Sequence, residues 1–276
     1  MKSTKIIHHL VLLCFFIGVY SCTKDRSAIQ QSSQADRPAL AKIYLTDHPT
    51  PIFDSVFIDI QKLEVKIEDS NSTNDGWITL TIHPGIYNIL RFRNGLDTLF
   101  ANGALPNSRL KKIRLTLGTN NSLMKNGQPF PLKVKDDDRQ VVANLASTNF
   151  DLQGSQVFFW IDFDAGNSIQ VDNSGPGNNN GFLLKPHIKI FAKNQSGRIE
   201  GKVSPLTADP IVKAIMGSDT ATAIPDHEGE FKIVGLETGT YNVIIDAQNG
   251  YADTTIANVM VRKGEDTHLP TINLHK

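Results

Sequence analysis

The sequence predicts a mainly β fold: a β-rich, sandwich-like N-terminal domain with at most a short helix, followed by a small Greek-key β-sandwich. Apolar and polar residues alternate with a period of two in many short runs from Ala39 onward. Turn signals such as Asn126-Gly127 separate these runs. After Asn194–Gly197 the runs become shorter and recur every roughly 8–12 residues, which is typical of a small sandwich. We therefore place the two domains at 39–193 and 194–276.

Residues 1–21 predict a lipoprotein signal peptide. Met1–Lys5 is basic, Leu10–Tyr20 is apolar, and a small residue precedes Cys22. The apolar segment has only about 11 residues, whereas a spanning helix needs about 20. The end of the segment resembles a bacterial lipobox, which implies that Cys22 becomes a lipidated N-terminus. A plain secretory signal and a membrane anchor are the alternatives.

Composition narrows the function classes. The chain carries 28 basic and 28 acidic residues and no basic run, so no nucleic-acid partner is expected. Cys14 leaves with the signal and Cys22 is used for lipid, so no thiol is left for a disulfide, a zinc site or a nucleophile. Residues 22–38 are polar and predict a flexible tether. The expected location is the outer membrane, on its periplasmic face or at the cell surface.

The first strands of the N-terminal domain show a change of phase. The alternation over Val56–Ile60 slips by one residue and continues over Leu63–Ile67, which predicts a β-bulge near Gln61-Lys62. The opposite face is charged and is expected to meet water; it carries Asp59, Lys62, Glu64, Lys66 and Glu68. Trp77–Ile82 predicts the returning strand. The spacing is uneven after it, and a short helix could form near Leu96–Ala101.

The rest of this domain reads as strands and one long loop. Lys111–Leu117 alternates cleanly, and Asn126-Gly127 predicts a tight hairpin that returns over Phe130–Val134. Gln156–Asp164 predicts a strand, Asp172–Gly181 predicts an exposed loop, and Phe182–Ala192 closes the domain. The strands predicted for the second domain are Arg198–Val203, Val212–Met216, Glu230–Val234, Thr240–Asp246, Thr255–Val261 and Thr271–Leu274.

Dispersed motifs over about residues 39–192 carry a family resemblance. They include Tyr44-Leu45-Thr46-Asp47, Gly76-Trp77, Ile113-Arg114-Leu115, Asp162–Ile169 and Leu184-Lys185-Pro186. In order and spacing they resemble the bacterial and archaeal domain-of-unknown-function family 4382. The usual Gly-x-Tyr of that family after Leu105-Pro106 is replaced here by Asn107-Ser108-Arg109. The family has no established activity, so the resemblance implies a fold and little chemistry.

A second set of motifs follows the predicted boundary. Gly201-Lys202-Val203, the Asp226-x-x-Gly229-x-Phe231 pattern and the Gly235-Leu236-x-x-Gly239-x-Tyr241 pattern resemble the carboxypeptidase regulatory-like modules. That resemblance implies a transthyretin-type or starch-binding-like β-sandwich. The superfamily includes carbohydrate binders, but the matched residues are scaffold residues and do not define a site.

The candidate binding residues cluster at the end of the strand over Gln156–Asp164. Asp162, Asp164 and Asn167 form a D-x-D-x-x-N pattern, and Trp160 lies on the same strand face. These residues could form a metal-binding or sugar-binding rim. Alternatively, the acids bind backbone amides of the following turn.

Other candidates are weighed in the same way. Tyr251 follows Asn249-Gly250 and could present an exposed ring for a sugar, or pack against the core. Asp136-Asp137-Asp138 could bind calcium, but consecutive side chains point apart, which favours a solvated turn. No metal site, cofactor or catalytic residue is predicted, because no nucleophile elbow, P-loop or helical histidine pair occurs.

These observations favour a non-catalytic, lipid-anchored envelope protein that is attached to the membrane through its N-terminal lipid and binds carbohydrate or another envelope component. The first alternative is a structural or assembly protein whose sheet edges take strands of a protein partner. The second is a carboxylate-based hydrolase that uses acids such as Asp162, Asp164 and Asp172.

Overall fold

The computed structural model describes residues 38–47, 52–68, 75–106, 108–145, 150–152, 156–173 and 181–276, which lie in one compact unit, residues 33–276. The predicted signal peptide, Cys22, the predicted tether up to residue 37 and most of the predicted loop after Asp172 lie outside the described residues. The mainly β prediction is confirmed, with one short α-helix in the described part of the chain.

The first strand set covers the N-terminal part of the described chain. Its strands are β1 (Ala39–Thr46), β2 (Ser55–Ile67), β3 (Trp77–Ile82), β4 (Gly85–Asn88), β5 (Thr98–Leu105), β6 (Arg109–Leu117), β7 (Ser122–Lys125), β8 (Gln128–Val134), β9 (Gln140–Asn144), β10 (Phe150–Asp151), β11 (Gln156–Phe163), β12 (Ile169–Val171), β13 (Phe182–Leu184) and β14 (Ile188–Ala192). The helix α1 is Ala165–Ser168, and short 3-10 helices occupy Ile89–Arg91 and Asp136–Asp138.

Eight strands of this set form a closed ring around the first hydrophobic core. β2, β3, β5, β1, β11 and β14 are neighbours in that order, and β6 joins β2 to β9. A single bridge between Leu145, which follows β9, and Ile190 of β14 completes the ring. Inward-facing residues such as Ile43, Leu63 and Phe159 fill it and are fully buried. The seam between β9 and β14 is therefore the most weakly paired part of the ring in the described residues.

Two local predictions for this set are confirmed. The register between β2 and β6 shifts between Ile60 and Lys62, so Gln61 is the extra residue of a β-bulge. β7 and β8 form a hairpin whose turn residues Asn126 and Gly127 both have positive φ, 51° and 72°. Positive φ at both positions is what a tight type I′ turn requires.

The short helix near Leu96–Ala101 was predicted wrongly, because strand β5 occupies most of that range. The register between β1 and β5 shifts at Ile43 and Tyr44, where Ile43 faces Ala101 and Tyr44 faces Leu99. The extra residue, Phe100, is buried together with Ala101. A bulge therefore breaks the period of two, and tertiary pairing overrides the helix-like spacing.

The sequence predicted that the charged face of β2 meets water, but part of this face is buried in the structure. Glu64 is only 6% exposed, and it accepts hydrogen bonds from Lys62 Nζ at 2.8 Å and Arg114 Nε at 2.7 Å. Arg114 also lies over the Trp77 ring, 4.1 Å from its centroid. The hydrogen bond from Arg114 lowers the pKa of Glu64. Glu64 therefore forms ion pairs with Lys62 and Arg114 on this partly buried face.

Asp59 is also buried, at 3% exposure, for a different reason. Its carboxylate accepts hydrogen bonds from Gln61 Nε2 and, at 3.2 Å, from the backbone N–H of Asn120. Its own backbone N–H donates to Asn121 Oδ1 at 2.8 Å, and Gly118 N donates to its carbonyl at 2.8 Å. The loop after β6 thus folds over Asp59 and satisfies it.

The second strand set forms a sandwich of two four-stranded sheets. Its strands are β15 (Gly197–Ser204), β16 (Ile211–Met216), β17 (Asp219–Ala223), β18 (Glu230–Leu236), β19 (Gly239–Asp246), β20 (Thr254–Val261), β21 (Asp266–His268) and β22 (Ile272–Asn273), with a 3-10 helix at Leu206–Ala208. One sheet has the order β18-β15-β21, with β22 also on β15, and the other has the order β17-β16-β19-β20. The sequence did not predict β17 and β21. A second hydrophobic core, with Val212, Phe231 and Val243, fills the sandwich.

The two sets contact each other through a few close points. Asn94 of the first set donates from Nδ2 to the carbonyl oxygen of Ile224 at 2.6 Å. Gly235 of β18 lies against the ring of Phe191 on β14, so closely that an added Cβ would be 2.5 Å from Phe191 Cε1. The cavities described next flank this contact.

Candidate functional site

Trp160 is on the outer face of β11, in a row of stacked rings. Its cross-strand neighbours are Tyr44 on β1 and Phe191 on β14. The ring centroids are 5.2 Å and 6.1 Å away, and the planes deviate from parallel by 18° and 6°. Because these neighbours are on opposite sides, both faces of the indole are covered. A ring that stacks on a sugar needs a free face, which Trp160 does not offer.

The Trp160 cleft, a cavity of about 350 Å³, contains charges that already have partners. Trp160 Nε1 donates to Asp97 Oδ2 at 2.7 Å. Arg198 pairs with Asp266, and Lys232 pairs with Glu200 at 2.5 Å. Arg198, Lys232 and Asp266 of this cleft are thus held in ion pairs, and Lys193 Nζ lies 5.7 Å from the centroid of the Trp160 ring.

Asp162 and Trp160 lie on the same strand face but in different cavities. Asp162 is fully buried, and its cross-strand neighbours are Thr46 and Lys189. It lines a second, larger cavity, the groove defined below, whereas Trp160 does not. The structure thus separates the two candidates at the contact between Phe191 and Gly235, which line both cavities.

Asp164 and Asn167 form a local turn. Asp164 caps α1, since its Oδ1 accepts from the backbone N–H of Asn167 at 3.0 Å and its Oδ2 accepts from Asn167 Nδ2 at 2.7 Å. His187 Nδ1 is 3.8 Å from Asp164 Oδ2. The Oγ of Ser168 accepts from the backbone N–H of His187 at 2.8 Å and donates to the carbonyl oxygen of His187 at 3.4 Å. These contacts are those of a capped turn, which was one of the two readings of the pattern.

Tyr251 lies in the second strand set, apart from the other candidates. Its ring packs against the second core, and its hydroxyl is 3.0 Å from Thr207 Oγ1. Lys276 Nζ lies 5.0 Å from the ring centroid. In the described residues, no group of three or more His, Cys, Asp or Glu side chains is arranged to hold a metal ion.

Asp47 is a buried carboxyl group beside Asp162. Its Oδ1 accepts from the backbone N–H of Ala165 at 3.3 Å, and its Oδ2 has no hydrogen-bond partner among the described residues. Burial raises the pKa of Asp47 well above its ordinary value, and the charge of Asp162 raises it further. The folded protein therefore binds the proton of Asp47 more tightly than the unfolded chain does.

We expect Asp47→Asn to raise the free energy of unfolding at pH 7 by about 1–2 kcal/mol, because it removes the cost of a buried, incompletely bonded acid. Because the pKa of Asp47 is raised in the folded state, its ionisation destabilises the protein as pH rises from the unfolded-state pKa through the folded-state pKa. The increase in the free energy of unfolding caused by Asp47→Asn should thus vanish below about pH 4. Urea unfolding at pH 7 and at pH 3.5 measures both values. Asp137→Asn, in an exposed turn, is the control, and an equal gain at both pH values would contradict the expectation.

The groove is a cavity of about 490 Å³ that lies between the two strand sets. Besides residues such as Asp162 of β11, Met216 of β16 and Tyr241 of β19, four edge strands line it: Val141–Asn144 of β9, Ile188–Phe191 of β14, Asp219–Ala221 of β17 and Val234–Leu236 of β18. In the described residues, each of these strands is paired along one side only, apart from the single bridge at Ile190. The groove is thus bordered by four sheet edges.

Sequence reasoning missed the groove. The D-T-A-T-A run over Asp219–Ala223 is a period-two signal that could have revealed β17. The convergence of four edges depends on how the two strand sets pack, so no local sequence signal predicts it.

No helix in the described ranges has both the length and the apolar character that a membrane-spanning segment requires.

Comparisons with known proteins identify one family. The profile of a domain of unknown function, DUF4382, matches residues 39–186. No curated protein matches.

Some solved structures are similar over part or most of the chain. A type II cohesin–X-dockerin complex of Acetivibrio cellulolyticus is 27% identical over 28% of this chain and 56% of that chain, with a TM-score of 0.24. A fimbrial protein of Bacteroides ovatus is 6% identical over 86% of this chain and 50% of that chain, with a TM-score of 0.25. The minor pilin of Streptococcus agalactiae is 12% identical over 86% of this chain and 96% of that chain, with a TM-score of 0.22. TM-scores this low support no inference about fold or function.

Proposed function

This chain belongs to the DUF4382 family, and we propose that it is a non-catalytic envelope protein that holds an extended segment of a partner protein in its groove. Cys22 would anchor it by lipid to the outer membrane, and residues 23–38 would tether the folded part, facing the periplasm or the cell surface. The C-terminal sandwich would act as a carboxypeptidase regulatory-like module that completes the groove.

The four sheet edges along the groove are the observation that carries this proposal. An edge strand offers backbone N–H and C=O groups that can pair with another chain. Strand addition uses these groups for affinity and the neighbouring side-chain pockets for specificity. Here the edges of β9, β14, β17 and β18 meet around one cavity with apolar lining such as Val142, Met216 and Val234. A cavity of about 490 Å³ accommodates several side chains of an extended segment.

The geometry favours a protein partner over a glycan. The two aromatic residues that line the groove, Phe191 and Tyr241, are buried, and the faces of Trp160 are covered by its neighbours. Sugar recognition through ring stacking therefore has no platform in the groove or the Trp160 cleft.

The contacts of the acids also weigh against the hydrolase alternative. Asp164 is engaged in capping α1, and Asp172 is buried and lies 3.7 Å from Lys133. A glycosidase needs two carboxyl groups that face one cleft. Of the three acids for which the sequence suggested this role, only Asp162 lines the groove, so these three do not form such a pair.

Site-specific photo-cross-linking in the native envelope tests the proposal. A photo-reactive amino acid replaces Thr220, which is exposed on β17 at the groove. The matched control replaces Thr255, which is exposed on β20, the opposite edge of the same sheet. We expect an adduct with one protein from Thr220 only, mapping to a single short segment of that partner. Equal labelling at both positions, or a glycan adduct at Thr220, would contradict the proposal.

A further inference from the structure

The wall of the groove built by the second strand set is acidic. Asp219 at the start of β17 and Glu237 after β18 both line it and are exposed. Neither side chain forms an ion pair with another residue in the described ranges. On the first strand set, Asp162 lines the opposite side together with Lys189. The groove therefore contains three acids and one lysine, and two of the acids are not neutralised by a neighbour.

Tyr241 shows that the two exposed acids act on the same place. Its hydroxyl donates to the carbonyl oxygen of Glu237 at 3.0 Å. The pKa of Tyr241 is raised to about 12, mainly by burial and further by the charges of Glu237 and Asp219. Asp219, Glu237 and Tyr241 all line the groove, so both carboxylates contribute to the negative field at this wall.

β17 offers its edge to a partner strand at Thr220 and Ala221, two residues that line the groove. β14 is already bridged by Leu145 at Ile190, which closes part of its edge. No such bridge to the outer side of β17 occurs in the described part of the chain. The groove-lining residues after Asp219 on this strand, Thr220 and Ala221, are small. A second backbone can therefore approach this strand to hydrogen-bonding distance.

The lining of the groove also includes two accessible apolar side chains. Val142 on β9 is 47% exposed, and Met216 at the end of β16 is half-buried. Both are available for contact with aliphatic side chains, and the flexible thioether of Met216 can adapt to different shapes. Side chains at alternate positions of an extended segment share one face, so apolar contacts and a charge contact can be made by one short strand.

We propose, building on the function above, that the segment bound in the groove adds to β17, presents a lysine or arginine to Asp219 and Glu237, and places aliphatic residues against Val142 and Met216. The two carboxylates are charge-complementary to a cation. An acidic segment would be repelled by the same groups, so they select between partners as well as bind them.

Selection of random heptapeptides on the full chain provides the probe. We expect the enriched peptides to share a lysine or arginine flanked by β-branched or aliphatic residues. A labelled enriched peptide then reports affinity by fluorescence anisotropy. Asp219→Asn and Glu237→Gln should each weaken it about two- to fivefold, as for a partly exposed charge pair, and the loss should shrink at high salt. Glu228→Gln removes an exposed acid outside the groove and should leave the affinity unchanged.

The outcomes separate this inference from the function on which it rests. Peptides that bind the groove but carry no basic residue, or that bind Asp219→Asn and Glu237→Gln chains as tightly as the original, would overturn the inference alone. If no peptide is enriched over an Ala221→Arg chain, in which a large side chain obstructs the groove beside β17, both the inference and the proposed function fail. If Glu228→Gln weakened peptide binding as much as Asp219→Asn and Glu237→Gln do, the inference would also be overturned, since the effect would then be one of net charge.

Discussion

Replacing Gly118 with alanine should destabilise the fold by about 3 kcal/mol, because the added methyl group would overlap a buried carboxylate. Gly118 follows β6, and a Cβ built there collides with the Asp59 side chain. That carboxylate is fixed by Gln61 and by the backbone N–H of Asn120, and it is almost completely buried. It can move only by giving up these hydrogen bonds, which leaves a buried charge incompletely paired.

Chemical denaturation of the purified chain measures this loss. Gly85→Ala is the matched control, since no atom lies within 4 Å of a Cβ built at Gly85, and its effect should stay below about 1 kcal/mol. In a double-mutant cycle, the Gly118→Ala cost should be much smaller in an Asp59→Ala background, because the group it collides with is gone. Equal costs in both backgrounds would show that the collision is relieved in another way.

The residues of β2 show how far local sequence reasoning reaches. The period of two and its slip predicted both the strand and the bulge at Gln61, because these depend on neighbours along the chain. The burial of Asp59 and Glu64 depends on partners about 50 to 60 residues away, Arg114 and Asn120. A polar residue on an alternating strand therefore predicts an outward face, but it does not predict what covers that face.

The candidate site shows the same limit. Trp160, Asp162 and Asp164 are adjacent on alternate positions, and from the sequence they read as one rim. The structure distributes them over a cleft, a groove and a capped turn. The division follows from the contact between Phe191 and Gly235, which are far apart in the chain. The capped turn itself depends on near neighbours, so the sequence could include it among its alternatives.

That contact makes Gly235→Ala the second large effect we expect, with a loss of about 2–4 kcal/mol in the free energy of unfolding. Gly235 has φ of +77°, which an alanine adopts only at a cost of roughly 1–2 kcal/mol. A Cβ would also lie 2.5 Å from Phe191 Cε1 and 2.7 Å from two further ring atoms. The ring cannot move freely, because it is buried and stacked on Trp160.

Gly250→Ala separates the two causes, since Gly250 has φ of +81° but no atom within 4 Å of a Cβ. Its loss should equal the backbone cost alone, and the excess in Gly235→Ala is then the cost of the collision with Phe191. Urea unfolding gives both values. Because β18 and β14 both line the groove, the collision should also change the width of the groove, so Gly235→Ala should weaken binding of an enriched heptapeptide while Gly250→Ala does not. Equal losses of stability in the two variants would mean that the strand sets separate at little cost, and the groove would then not be a rigid feature of the protein.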